Sequence, residues 1–167
     1  MQKSQQPARK EKQEKKTDKL RVVLDTNVIV SALLTPEGIP AQVLSLVALG
    51  TVQTCYNQAI LDEYEEVLSR PKFKPEITRN LKDLVLDPLK AIGSPFIVFS
   101  SVFPMNDESD RPFYDVAKAA SAFLITGNKR HYPDEPFIMT PREFLDTFIT
   151  LDQSIVIDTQ IKKSYFN

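Results

Sequence analysis

The chain has 167 residues, a mass of 19.0 kDa and a net charge of −1, enough for one domain with a core of its own. A single cysteine, Cys55, and a single histidine, His131, exclude an internal disulfide and any multi-cysteine or two-histidine metal site. Charge is unevenly spread: residues 1–21 hold eight basic and three acidic side chains, so a +5 arm precedes a body of −6.

Residues 1–19 are rich in Gln, Lys and Glu and are expected to form a disordered basic tail. Two readings stay open for it, an electrostatic arm for RNA phosphates or an acidic partner, and a merely solvated tail. Leu20 to Leu24 is a short apolar run that predicts a strand covered on both faces. Val28 to Leu34 and Ala41 to Leu49 predict helices, the second opened by Pro40. Thr51 to Tyr56 predicts a second strand. Asn57 then caps an amphipathic helix, Gln58 to Arg70, which Pro71 stops. Residues 75–92 predict one or two helices with a break at Pro88, and Phe96 to Val102 a third strand. Asp110 to Ala120 predicts a helix and Ala122 to Thr126 a fourth strand. Phe137 to Met139 predicts a short fifth strand, and Thr140 caps a last helix, Pro141 to Phe148.

Strands alternating with helices predict an α/β domain with a mainly parallel sheet of about five strands over residues 20–150. Residues 151–167 read as a C-terminal extension, with an extra strand at Ser154 to Ile157. No run approaches the ~18 apolar residues of a membrane span, and no secretory leader is legible. A cytoplasmic location without a membrane partner is therefore expected.

In an open parallel sheet, ligands bind beyond the carboxyl ends of the strands. Asp25 and Asn27 follow the first strand, and Thr126 and Asn128 follow the fourth. Asp110 opens the helix that feeds the fourth strand, and Glu63 lies early in the helix after the second. Each acid alone reads equally well as a helix cap or a solvated charge. Together, at convergent positions, they would repel one another unless a cation neutralised them. Hard oxygen ligands suit Mg²⁺ or Mn²⁺, and metal-assisted phosphodiester hydrolysis is the natural use of such a site.

Three blocks carry a resemblance to a known family. Val22-Val23-Leu24-Asp25-Thr26-Asn27-Val28 resembles the opening motif of PIN-domain ribonucleases. Ile60 to Leu68 with Ser69-Arg70-Pro71-Lys72-Phe73 resembles the helix bearing their second acid. Asp110 to Ala117 and Leu124 to His131 resemble their third motif and following strand. The likeness covers residues 20–148 and is nearest to the subgroup described as toxins of bacterial toxin–antitoxin systems. It implies a three-layer α/β/α sandwich and an acidic pocket that binds Mg²⁺ or Mn²⁺ and cuts single-stranded RNA. It further implies an antitoxin protein partner and a homodimer. Carried over position by position, Asp25, Glu63 and Asp110 are the metal-binding, catalytic acids. Asn27 supports the first acid, and Thr126 matches a hydroxyl of the family's Thr-x-Asp motif.

The fourth acid of that pattern falls on Asn128, which can still coordinate through its carbonyl oxygen but adds no charge. This weakens the case for two metals and leaves one-metal catalysis. Asp107 and Glu108 could replace the lost charge, and Asp115 reads as a surface or supporting residue. Lys129, Arg130 and His131, with Arg70 and Lys72, read either as RNA phosphate contacts or as solvated loop charges. His131 is not expected to act as a general base. A competing reading, prompted by Asn128 and the basic arm, is a catalytically weakened or inactive RNA-binding or scaffold domain. A different doubly wound enzyme, such as an aspartate phosphatase or a receiver domain, fits the Glu63 block poorly.

Overall fold

A computed structural model describes residues 19–74, 79 and 82–154. The expected basic tail therefore lies outside the described residues, except Lys19. So does the expected strand beyond Ser154. Strand β1 (Arg21–Leu24) leads into helix α1 (Thr26–Leu34) and helix α2 (Ile39–Ala48). Strand β2 (Gln53–Tyr56) and helix α3 (Gln58–Leu68) follow. A wide π-helical turn, Lys82–Leu86, passes into α4 (Asp87–Ile92) and then β3 (Ser94–Pro95). Next come α5 (Arg111–Ala120), β4 (Phe123–Ile125), β5 (Ile138–Met139) and α6 (Pro141–Ser154).

The five strands form one sheet in the order β3-β2-β1-β4-β5, and every pairing is parallel. This is the expected α/β class. The central strand shows why: Val22, Val23 and Leu24 are all buried, so both faces of β1 are covered by helices. Helix α5 packs across β1, β2 and β4 with Phe113, Val116 and Ala117 fully inside. Local chemistry fixes the helix ends. The Asn57 side chain accepts from the Ile60 N–H at 3.0 Å. Thr140 and Glu143 exchange a reciprocal pair, with the Thr140 N–H donating to Glu143 Oε2 and the Glu143 N–H to Thr140 Oγ1.

Several expectations need correction. The third strand is not Phe96 to Val102; β3 stops at Pro95. Its partner β2 ends at Tyr56 and the chain there turns into α3, so only the Phe96 N–H still finds a carbonyl, that of Tyr56. Beyond it Ile97, Phe99 and Val102 are almost wholly exposed. Asp115 is not a surface residue. It is buried and accepts from the Ser101 N–H, while Arg111 donates to the Ser101 and Phe103 carbonyls, so α5 anchors this loop. The last helix runs past Phe148 to Ser154, since no Gly or Pro interrupts Ile149 to Ser154. At Pro88 the helical stretch continues but changes type, from the π-helical turn to α4, with Pro88 in the first turn of α4.

Candidate active site

The chain winds outward from β1 through β2 to β3, then returns to place β4 on the other side of β1. The order of connections reverses between β1 and β4, and a crevice opens beyond their carboxyl ends. Asp25 is the first residue past β1 and Thr126 the first past β4; the Asp25 N–H still bonds the Ile125 carbonyl at 2.9 Å.

Asp25 is buried and held on three sides. Its Oδ1 accepts from the Asn27 N–H at 3.0 Å, which makes it the cap of α1 as well. Its Oδ2 accepts from the Thr126 hydroxyl at 2.7 Å and from the Tyr132 hydroxyl at 2.9 Å. Asn27 ties the two strand ends together, with Oδ1 accepting from the Gly127 N–H at 2.8 Å.

Glu63 comes from α3 and points toward the same crevice, where its Oε1 accepts from the Thr26 hydroxyl at 2.6 Å. Its acidic neighbours do other work: Asp62 accepts from Gln58, Glu65 from Lys90 and Glu66 from Arg70. Asp110 does not act as a side-chain helix cap. The short 3₁₀ turn Glu108–Asp110 is capped by Asp107, and the Asp110 carboxylate makes no capping bond to α5. Its Oδ2 faces His131 Nδ1 at 2.8 Å instead.

A cleft of about 320 Å³ is lined by Asp25, Glu63 and Asp110 together with Thr26, Asn27, Val30, Lys72, Phe73 and His131. The carboxylates of Asp107 and Asp110 and the His131 imidazole also bring ligand atoms within 4.8 Å of one another at its edge. Asn128 does not line the cleft. Its amide is hydrogen-bonded to His131 Nε2, so its side chain props the imidazole that faces Asp110. Arg70 pairs with Glu66 on the outer face of α3, Lys129 pairs with Glu143, and Arg130 is exposed, so none of these three lines the cleft. Lys72 does.

A PIN domain profile matches residues 21–130, about two thirds of the chain, a span that includes Asp25, Glu63 and Asp110. The chain belongs to the PIN-domain family. It is also 31% identical over 145 residues to an uncharacterized protein of Methanocaldococcus jannaschii, a match that covers 78% of this chain and 92% of that one. PIN domains are in general metal-dependent nucleases.

The residues of this PIN domain fit a divalent cation. Burial pushes the Glu63 and Asp110 carboxyls above their ordinary range, partly offset by the Thr26 and His131 hydrogen bonds and reinforced by the charge of Asp25. Among the described residues no Lys or Arg forms an ion pair with Asp25, Glu63 or Asp110. Nor does any donor there reach Glu63 Oε2 or Asp110 Oδ1. Among the described residues Asp107, Asp110 and His131 bring their ligand atoms close enough to share one ion, and Asp25 and Glu63 line the same cleft as Asp110; carboxylate oxygens of this kind suit Mg²⁺ or Mn²⁺.

The same electrostatics has a thermodynamic consequence. A carboxyl whose folded pKa is raised contributes stability only in its protonated form, fully present below the ordinary carboxylate range and lost as pH rises through the raised value. At neutral pH the cluster therefore opposes folding when no metal is bound. Glu63→Gln and Asp110→Asn are each expected to raise the melting temperature in EDTA at pH 7, by a gain on the order of 1 kcal/mol. That gain should vanish below about pH 4, where the wild-type carboxyls are also neutral. Thermal melts with excess Mn²⁺ should reverse the ranking, because only the wild type gains ligand stabilisation in full.

Proposed function

We propose that this PIN domain is an endoribonuclease that hydrolyses phosphodiester bonds of single-stranded RNA with Mg²⁺ or Mn²⁺, as the toxin of a toxin–antitoxin pair. The observation that supports this reading is the convergence of Asp25, Glu63 and Asp110, from three separated stretches of chain, on one cleft with unclaimed oxygens. Those three carboxylates would hold the ion, oriented by Thr126 and Tyr132, by Thr26 and by His131 respectively. When bound, a divalent ion polarises a phosphoryl oxygen and lowers the pKa of a nearby water. Lys72, on the cleft wall, is placed to meet a substrate phosphate.

The RNA and toxin parts are tested separately. Labelled single-stranded RNA, single-stranded DNA and duplex RNA of one sequence, incubated with Mn²⁺, should show cleavage of the single-stranded RNA alone. Equal cleavage of DNA would contradict the RNA assignment. Induced expression in bacterial cells should arrest growth, and expression of Asp25→Asn should not; growth unaffected by an active nuclease would remove the toxin role.

The second reading, a weakened RNA-binding domain, rests on Asn128 in place of an acid. The two readings differ over Asn128→Asp. If the missing charge limits catalysis, this variant gains activity. Side chain 128 lies against His131 and outside the cleft, so we expect no gain. We expect a loss wherever His131 Nε2 needs a donor, because a carboxylate has none to offer.

A further inference from the structure

The acidic cleft does not end at its carboxylates. Val30, Lys72 and Phe73 also wall a second hollow of about 550 Å³, completed by Leu33, Leu34 and Lys74. Its chemistry is different. One side is the aliphatic flank of α1, with Leu34 half exposed, and the other is an aromatic ring between two lysines. The Lys72 ammonium lies 5.0 Å from the centre of the Phe73 ring. Lys90, Lys118 and Lys129 are each paired with a glutamate. Lys72 and Lys74 form no ion pair with a carboxylate among the described residues.

We propose that this hollow is a nucleotide subsite: a base of single-stranded nucleic acid adjoining the scissile phosphate packs on Phe73 against Val30, Leu33 and Leu34. Lys72 and Lys74 take phosphates of the same strand. This inference rests on the nuclease reading above and names the part of the substrate that the site recognises. Three features favour a nucleic acid over a protein segment as occupant. The hollow shares its Val30, Lys72 and Phe73 wall with the carboxylate cleft, its charge complements phosphate, and its ring already accepts a cation on one face. An aromatic platform takes any base, so it reads strandedness and not sequence; a base paired in a duplex cannot leave its stack to reach it.

The test is equilibrium binding of a fluorescein-labelled mixed-sequence single-stranded RNA 12-mer to the full chain in EDTA, which prevents cleavage, beside the Mn²⁺ cleavage assay. Phe73→Leu keeps an apolar side chain but removes the ring. It should weaken binding roughly 5- to 150-fold, the usual loss for one stacked base. Lys72→Gln should weaken binding and lower the slope of log K against log salt by about 0.7. Melting temperatures show that both variants remain folded. Binding by folded Phe73→Leu within twofold of wild type overturns the subsite, while wild-type cleavage in the same experiment leaves the nuclease reading standing. Phe73-dependent binding without any cleavage upholds the subsite and removes the nuclease reading. If Phe73→Leu leaves RNA binding intact and converts a dimer to a monomer in sedimentation, the hollow is a protein interface and the proposal fails.

Discussion

Asp25→Asn is expected to abolish Mn²⁺-dependent RNA cleavage, with a loss on the order of 10²–10³-fold or more, while leaving the fold intact. The exchange is nearly isosteric. Asn caps a helix as well as Asp, so the bond from the Asn27 N–H persists. With its oxygen kept on that bond, the new side-chain NH2 faces the Thr126 and Tyr132 hydroxyls, which now accept from it instead of donating. What disappears is the one negative charge that is fixed by three hydrogen bonds and shared by the whole cleft. Asp25→Ala should lose the same activity and also melt earlier, because it deletes the cap, at about 0.5–2 kcal/mol, and leaves two buried hydroxyls without an acceptor. Comparing the two variants separates a charge requirement from a folding defect. Activity surviving in folded Asp25→Asn would mean that Asp25 is only a structural cap.

The second large effect is expected behind the carboxylates. Tyr132 is buried, and its hydroxyl is pushed far above the ordinary phenol range by burial and by Asp25, so it is a donor at every working pH. Tyr132→Phe removes a hydrogen bond to a charged acceptor, worth about 1.5–3 kcal/mol. Thr126→Val should cost at least as much. Its hydroxyl also accepts from the Asn128 N–H at 2.9 Å and lies 3.4 Å from the Asn27 amide, so one change removes three hydrogen bonds. Metal affinity should fall about 10- to 100-fold in each, the usual loss when a ligand's supporting partner is removed. The double variant should not be additive, because both hydroxyls serve the same Oδ2. Denaturant unfolding in EDTA and Mn²⁺ titration measure the two effects separately. Wild-type stability and affinity in Tyr132→Phe would show the phenol to be incidental.

Asp25 is legible in the sequence because its signal is local: an apolar run that can only be a buried strand, followed at once by an acid. Glu63 is harder. It stands among Asp62, Glu65 and Glu66, and helical spacing alone does not say which of the four faces inward. The family motif picks it out, and in the structure its neighbours are engaged on the outer face by Gln58, Lys90 and Arg70. Nothing local marks Tyr132; its contact with Asp25 spans 107 residues and exists only once β1 and β4 lie side by side. The motif puts position 128 in the pocket and so suggests a carbonyl ligand there. The Asn128 amide turns instead to His131, a contact made within the short turn after β4. The third strand misleads for a physical reason as well. Phe96 to Val102 has the β-branched and aromatic composition of a strand, yet a strand forms only where a neighbour offers backbone, and β2 has ended by then.

Joint binding of a divalent ion by Asp25, Glu63 and Asp110, and its use in hydrolysis, is tested most directly by a Mn²⁺ titration. Electron paramagnetic resonance would follow it on wild type and Asp25→Asn, with RNA cleavage measured at each metal concentration. The predicted result is one tightly bound ion per wild-type chain, cleavage that rises with its occupancy, and loss of both in Asp25→Asn. Binding that is indifferent to Asp25→Asn, or RNA cleavage that persists in EDTA, would contradict it.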